Sequence, residues 1–346
     1  MRSSIVRCCL PLLIAAALAV PALAQHAPPP PAAAAPAGEE FKNLKVLPKD
    51  IPPAELRALM NSFTRALGVR CIYCHVGEEG KPFRHEDFQL DDKGTKLKAR
   101  EMLRMVRDIN DKYLAALDHR ADPPIRVECV TCHRGSTQPR MLQSVLKSVY
   151  DAGGIDSTLA RYRALRSRYY GGFTYDFGEV PLADLGGTLL DAGHAADAES
   201  LLAFNVTMNP SSTFAKRQSA IASIVGAFRG GAAPGPGIVR DLRARYGEAL
   251  VSEQMINGIG YDLLGRHEQP AALAAFRQNV ADYPASANAY DSLGEALLQS
   301  GDAKRAKEAY ARSLELDPAN DHAKHQFEAI KHPPKGKARS ASRITP

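Results

Sequence analysis

The sequence predicts an all-α protein in two parts: a small helical module around two cysteine motifs, and a longer solenoid of paired helices. In the first part, apolar residues recur at helical spacing over residues 53–67 and from about residue 95 to residue 117. In the second part, small, aromatic and proline residues recur every 34 residues, most clearly over 253–286 and 287–320. A chain of 346 residues is long enough for two such domains.

Two pentapeptides carry the chemistry of the first part, Cys-Ile-Tyr-Cys-His at residues 71–75 and Cys-Val-Thr-Cys-His at residues 129–133. Two residues between the cysteines place both sulfurs within reach of the vinyl groups on one porphyrin edge, and the next histidine aims its imidazole at the iron. We therefore expect two covalently attached haem c groups. The attachment residues are Cys71, Cys74, Cys129 and Cys132, and the iron ligands are His75 and His133.

The same cysteine spacing occurs in zinc ribbons and redox-active disulfides. Fifty-four residues separate Cys74 from Cys129, which is far more than the short insert of a compact ribbon. Neither zinc nor thiol chemistry requires a histidine directly after both pairs. The spacing therefore favours haem.

The helix predicted over 53–67 supplies a candidate for the second axial ligand of the first haem. Its apolar face includes Met60, and Gly68 is placed to end the helix just before Cys71. A methionine on an apolar face more often fills space in a core. Two haems, however, need two distal ligands, and a thioether is a soft ligand that favours ferrous iron.

The second helix, predicted from about Thr95 to Leu117, supplies the candidates for the other haem. Met102 and Met105 lie on one stripe of this helix, ahead of the second motif. From the residues alone, either of them is a suitable distal ligand.

The N-terminus predicts export. Arg2 and Arg7 flank a polar start, Leu10 to Val20 is a short apolar run, and Ala22-Leu23-Ala24 resembles a cleavage site. No later stretch approaches the ~20 apolar residues of a transmembrane helix, so we expect a periplasmic product, soluble or peripheral to the membrane, with no transmembrane segment in the mature chain. The formal net charge of +6 is mild and does not indicate nucleic-acid binding.

Composition divides the chain into six segments. We predict a signal peptide, a Pro/Ala-rich linker, a di-haem domain, a helical connector, tetratricopeptide-type repeats and a basic tail. Their respective bounds are 1–24, 25–38, 39–142, 143–178, 179–330 and 331–346.

Repeats of this type bury a core only by stacking, and the stack exposes a concave face. We expect residues 179–330 to bind a segment of a protein partner, and the alternative is a spacer that binds nothing. Residues 230–237 (GGAAPGPG) interrupt the array and lack the Lys-Ser/Thr of a phosphate loop, so they predict a hinge or surface loop.

Residues 41 to about 141 resemble the cytochrome c subunit of the photosynthetic reaction centre, whose four haems form two similar two-haem halves. The likeness rests on four stretches of sequence. They are Phe41 to Leu47 (FKNLKVL), Leu59-Met60, Ala99 to Met105 (AREMLRM) and Cys129 to Gly135 (CVTCHRG).

This resemblance implies that each haem is held between a CxxCH histidine and a methionine of the preceding helix. The match falls on Met60 and on Met102, in preference to Met105. It also implies an electron carrier that contains one two-haem half. For the whole chain we therefore expect a multihaem cytochrome c module followed by a tetratricopeptide-type helical solenoid.

The expected function is one-electron transfer with a redox protein partner, for example a membrane-bound electron-transfer complex. No catalytic residues are expected, because no Ser/His/Asp set, phosphate loop or paired-carboxylate motif stands out. Two alternatives stay open. A di-haem peroxidase normally needs more chain between its motifs than the 58-residue offset from Cys71 to Cys129, and a repeat scaffold would carry the haems only as structural groups.

Overall fold

The computed structural model describes residues 41–83, 85–230 and 237–332. The predicted signal peptide and linker, most of the 230–237 loop and nearly all of the basic tail lie outside the described residues. Every regular element within them is helical, which confirms the all-α prediction. None of the described helices is both long enough and apolar enough to cross a membrane.

The N-terminal module consists of short helices around the two cysteine motifs. In chain order these are α1 (Pro53–Leu67), a 3-10 turn (Cys71–Tyr73), a second 3-10 turn (His85–Phe88), α2 (Gly94–Asp108), a π-helix (Ile109–Leu114) and α3 (Cys129–His133). The long α4 (Leu142–Tyr169) follows, with a break at Gly154, where φ is 70°.

Helix α1 has the predicted bounds. Pro53 occupies its first position, where the missing N–H costs no hydrogen bond. Gly68 ends the helix in the left-handed conformation, with φ 66°, and Val69 N–H donates to Thr64 O at 3.1 Å. The chain then enters the first motif after two further residues.

Helix α2 ends earlier than predicted, because the chain changes to a π-helix at Ile109. Within the π-helix, the buried Asn110 pairs with the backbone of Val127: Nδ2 donates to Val127 O at 2.8 Å, and Oδ1 accepts from Val127 N–H at 2.7 Å. A π-turn widens the helix locally and redirects a side chain. Here that side chain holds the segment that leads into Cys129.

Nine helices, α5 to α13, form the solenoid within the described residues, mostly as antiparallel pairs. They are α5 (Val180–Asp191), α6 (Ala195–Met208), α7 (Thr213–Arg229), α8 (Gly237–Tyr246), α9 (Glu253–Gly265), α10 (Gln269–Asp282), α11 (Ala287–Gln299), α12 (Ala303–Leu316) and α13 (Asp321–Lys331).

The 34-residue repeat is visible in how the paired helices cross. A Cβ on Gly260 would lie 2.7 Å from the ring of Phe276, and one on Gly294, 34 positions later, would lie 2.8 Å from the ring of Tyr310. Each glycine therefore lets a large side chain of the next helix pack against the backbone. The diverged first unit has the same crossing. There, a Cβ on Gly186 would lie 2.5 Å from the side chain of Leu202.

Helix α4 shares the core of the first repeats. Leu146, Tyr162 and Leu165 are buried in the same apolar cluster as Leu182 and Leu201 of the first helix pair. The segment between the haem motifs and the repeats is thus packed onto the solenoid.

Candidate haem-binding site

The first motif forms a tight turn directly after α1. Cys74 N–H and His75 N–H both donate to Cys71 O, at 3.1 and 2.9 Å. Cys71 is exposed, whereas Cys74 and His75 are half-buried. The turn therefore presents both sulfurs and the imidazole within five residues.

His75 lies in an apolar and cationic setting. Its ring meets the ring of Phe88 edge to face at 5.1 Å, and Phe88 stacks on Phe83 at 4.8 Å. Burial lowers the pKa of His75, and the nearby charges of Lys96 and Arg100 lower it further. The imidazole is therefore neutral at physiological pH, which is the form that binds iron.

The start of α2 is fixed on the first motif by two side chains. Lys93 Nζ donates to Ile72 O, and Thr95 Oγ1 donates to Tyr73 O. These bonds satisfy two carbonyls of the motif and set the direction in which α2 leaves it.

Asp91 is the centre of a charge cluster that the sequence does not predict. It accepts from Arg100 and from Lys45, each at 2.8 Å, and from Asn43 Nδ2 at 2.9 Å, and Lys96 Nζ lies 3.1 Å away. The Arg100 guanidinium, followed by Lys45, holds the pKa of this carboxyl far below its usual range. The Asp91 cluster, defined by these five residues, ties the entry segment to α2.

The sequence shows only that Lys96 and Arg100 lie four residues apart on the predicted helix. The structure adds that each is only 9% exposed. Buried cations need a partner. The spacing of residues along the sequence does not identify Asp91 as that partner.

The second motif forms the short helix α3. Glu128 N–H donates to Thr131 Oγ1 at 3.0 Å, as part of a capping box at its start. At its end, His133 Nδ1 lies 2.9 Å from Ser136 O. A carbonyl can only accept, so Nδ1 carries the hydrogen and the lone pair of Nε2 is free for a metal.

The two motifs are joined where α1 ends. Gly135 N–H donates to Ala66 O at 2.8 Å, and a Cβ on Gly68 would lie 2.3 Å from Gly135 O. The chain just after the second motif thus packs against the chain just before the first. Together with Asn110 and Lys93, this contact sets the separation of His75 and His133.

The three methionine candidates lie on the helices that were predicted to carry them. Met60 is half-buried on α1, whereas Met102 and Met105 on α2 are 42% and 45% exposed. The two exposures are alike, so exposure does not distinguish Met102 from Met105 as a ligand.

The surface of the module suits a large apolar group. Between residues 41 and 141 of the described chain, Ile51 and Ala66 are the only buried apolar residues. Large apolar side chains that are instead exposed there are Tyr73, Phe88, Leu90, Leu97, Met102, Met105, Tyr113, Leu117, Ile125, Val130 and Met141. A porphyrin ring would cover such side chains, and cysteine pairs, neutral imidazoles and thioethers are the donors that haem c uses. The residues present therefore fit two haems.

No group of three or more His, Cys, Asp or Glu side chains is placed to hold a metal ion, as far as the described residues extend. Haem iron needs at most two ligands from the protein, because the porphyrin supplies four.

Residues 11–164 match a family model described as "Photosynthetic reaction centre cytochrome C subunit". The photosynthetic reaction center cytochrome c subunit of Roseobacter denitrificans is 30% identical over 105 residues, which cover 30% of this chain and 26% of that protein. Its counterpart in Rubrivivax gelatinosus is 34% identical over 99 residues, or 26% of this chain and 25% of that protein. The chain thus spans about a quarter of the length of these relatives.

Among solved structures, a thermophilic TPR protein of Thermus thermophilus is similar at 17% identity with a TM-score of 0.25, covering 55% of this chain and 97% of that one. MamA of Desulfovibrio magneticus is similar at 16% identity with a TM-score of 0.25, covering 52% and 95%. The part of the chain over residues 11–164, which contains both CxxCH motifs, is thus similar to the photosynthetic reaction centre cytochrome c subunit family.

Proposed function

We propose that this chain is an exported di-haem c-type cytochrome that transfers single electrons and that its repeats dock it to a protein partner. The observation that carries the proposal is the pair of complete CxxCH motifs, in which His133 donates its Nδ1 hydrogen to Ser136 O and keeps Nε2 free for iron. His75, held neutral by burial, is the matching ligand in the first motif.

Methionine is the proposed second protein ligand of each haem. Met60 of α1 would complete the haem of Cys71 and Cys74, and Met102 of α2 the haem of Cys129 and Cys132. With a histidine and a methionine as its two protein ligands, a haem iron would have no position open to peroxide and would be suited to electron exchange. Ser136 O orients the imidazole of His133, and the ring of Phe88 packs against that of His75.

Positive charge around the first motif would favour the reduced state of its haem. Lys93, Lys96 and Arg100 act on His75, and an electron added to nearby iron is attracted by these cations. Asp91 offsets part of that charge while it holds Lys96 and Arg100 in place. These cations would therefore raise the reduction potential of the haem of the first motif.

The proposed location is the periplasm, on the basis of the N-terminal 24 residues.

The proposed docking face is formed by the first helices of the repeats. Between α7 and α9 there is a cavity of about 190 Å³, with Ile221, Val225, Met255 and Ile259 in its lining. Such a cavity fits an apolar anchor of a bound protein segment.

A redox titration tests the proposal. The purified exported protein should take up two electrons per chain in reversible one-electron steps, and it should not turn over hydrogen peroxide. Uptake of fewer than two electrons, or steady peroxide turnover, would contradict a di-haem electron carrier.

A further inference from the structure

The stretch of chain that follows the second CxxCH motif is strongly basic. Residues 134–175 contain seven Lys and Arg but only two Asp, so this stretch contributes +5 of the formal net charge of +6. The seven basic residues are Arg134, Arg140, Lys147, Arg161, Arg163, Arg166 and Arg168. This stretch is therefore strongly basic, and it directly follows the second CxxCH motif.

Part of this charge faces a cleft between α4 and the loop that follows the second motif. The cleft has a volume of about 410 Å³, and its lining includes the side chains of Arg140, Arg161 and Arg168. Val145 and Leu165 supply apolar lining. No Asp or Glu is part of the lining, as far as the described residues show.

The guanidinium groups of this basic cleft are available to a partner. Arg140 donates to Ser144 O at 2.9 Å and to Ser148 Oγ at 2.7 Å. Arg161 and Arg168 are exposed, and the Arg168 guanidinium lies over the ring of Tyr169 at 5.1 Å. Within the part of the chain that the structure describes, none of the three forms an ion pair. Arg161 and Arg168 are seven residues apart on one helix, so roughly 10 Å separates them along its axis. That spacing exceeds one phosphate and suits carboxylates on a protein surface.

The cleft also lies beside the second haem site. Ser136, in its wall, accepts the Nδ1 hydrogen of His133, only three residues away, so the two are at most about 10 Å apart along the chain. Thr174 Oγ1 donates to Arg134 O at 2.6 Å and fixes this loop on the α4 side. A protein seated in the cleft is therefore close to the haem of Cys129 and Cys132.

We propose that the basic cleft docks an acidic redox protein, whose surface carboxylates pair with Arg161 and Arg168. This inference rests on the proposed electron-transfer function. In the docked complex one electron passes from the reduced partner, which is oxidised, to ferric iron at the second motif, which becomes ferrous. No bond forms or breaks. Charge complementarity steers the encounter and raises the association rate.

The test uses the full-length haem-loaded protein and a reduced iron–sulfur ferredoxin with an acidic surface as the electron donor. The second-order rate of haem reduction is measured by stopped flow at low ionic strength. Replacing both arginines in an Arg161→Gln/Arg168→Gln variant should lower this rate about tenfold, within the range that steering provides. The Arg161→Lys/Arg168→Lys variant, which keeps the charge, should stay within about twofold of the wild type.

A charge-matched control locates the effect. Lys304→Gln/Lys324→Gln removes the same charge from exposed sites on α12 and α13 and should leave the rate nearly unchanged. Equal rates for the two Gln variants would overturn the docking site. Selective inhibition by inorganic phosphate at constant ionic strength would assign the cleft to a small anion and also overturn the proposal.

A chemical reductant separates this inference from the proposed function. Dithionite should reduce both haems in the wild type and in every variant. If dithionite fails to reduce two haems in the wild type, the di-haem assignment itself is wrong. If dithionite reduces both haems but the rate of reduction by ferredoxin is the same in the wild type and in the Arg161→Gln/Arg168→Gln variant, only the docking inference is wrong.

Discussion

Gly68 and Gly135 are in contact where α1 ends, and a Cβ on Gly68 would lie 2.3 Å from the carbonyl oxygen of Gly135. One glycine lies three residues before the first CxxCH motif and the other two residues after the second. This contact sets how closely the two haem sites can approach.

Replacing Gly68 with Ala should therefore destabilise the haem-loaded protein by roughly 3 kcal/mol. The left-handed φ of 66° accounts for about 1–2 kcal/mol, and the overlap with Gly135 adds to it because a backbone oxygen cannot move aside cheaply. Gly80→Ala is the control, since Gly80 has φ 80° but nothing within 4 Å. Denaturant unfolding followed by haem absorbance measures both, and equal losses would show that the contact contributes nothing.

The methionine variants test the distal ligands one haem at a time. Met60→Ala should abolish the thioether-to-iron charge-transfer band of one haem and lower its reduction potential, and Met102→Ala should do the same for the other. Met105→Ala should leave both bands intact, although Met105 shares the stripe and the exposure of Met102. If Met105 is the indispensable residue, the assignment on α2 is wrong by one helical turn.

The Asp91 cluster should matter for stability. Asp91→Asn leaves Lys96 and Arg100, whose side chains are 11% and 10% exposed, without their carboxylate. We expect a loss of roughly 2–3 kcal/mol, below the usual cost of breaking a buried pair because Asp91 is itself 27% exposed. Asp92→Asn, at the exposed neighbouring position, should change the free energy of unfolding little.

The same cluster predicts acid sensitivity. Arg100 and Lys45 lower the folded-state pKa of Asp91 below the unfolded value of about 3.9. The stabilisation is therefore fully present above that value and is lost as the pH falls below it towards the folded pKa. Below about pH 4 the wild type should lose stability more steeply than Asp91→Asn. Parallel pH profiles of the two proteins would contradict this.

Two glycines of α9 make a matched test of the repeat packing. Gly260→Ala places a methyl group 2.7 Å from the ring of Phe276 and should destabilise the solenoid by about 2 kcal/mol. Gly258→Ala, on the exposed side of the same helix, meets nothing within 4 Å and should stabilise it by up to about 1 kcal/mol. Thermal unfolding measures the two shifts. The visible haem spectrum should be the same in both variants.

The sequence predicts those features of this fold that depend on neighbouring residues. The bounds of α1 follow from Pro53, an apolar face and Gly68, and the helix crossings follow from a glycine and a large side chain 16 positions apart. Both patterns lie within one or two helices, so periodicity is enough to find them.

Contacts between distant segments are not predictable in this way. Asp91 joins Asn43 to Arg100, and Asn110, in the π-helix that follows α2, bonds to the backbone of Val127. Each depends on the tertiary path of the chain, which a single sequence does not specify. The same holds for Ser136, which the sequence analysis did not single out although its carbonyl orients His133.

The most direct test of the central claim is the number of covalent haems per chain, measured by intact mass and by a pyridine haemochrome assay on protein exported with haem-attachment machinery. The wild type should carry two haems. The Cys71→Ala/Cys74→Ala and Cys129→Ala/Cys132→Ala variants should each retain one. A wild type with fewer than two covalent haems, or a variant pair that loses none, would contradict a di-haem cytochrome.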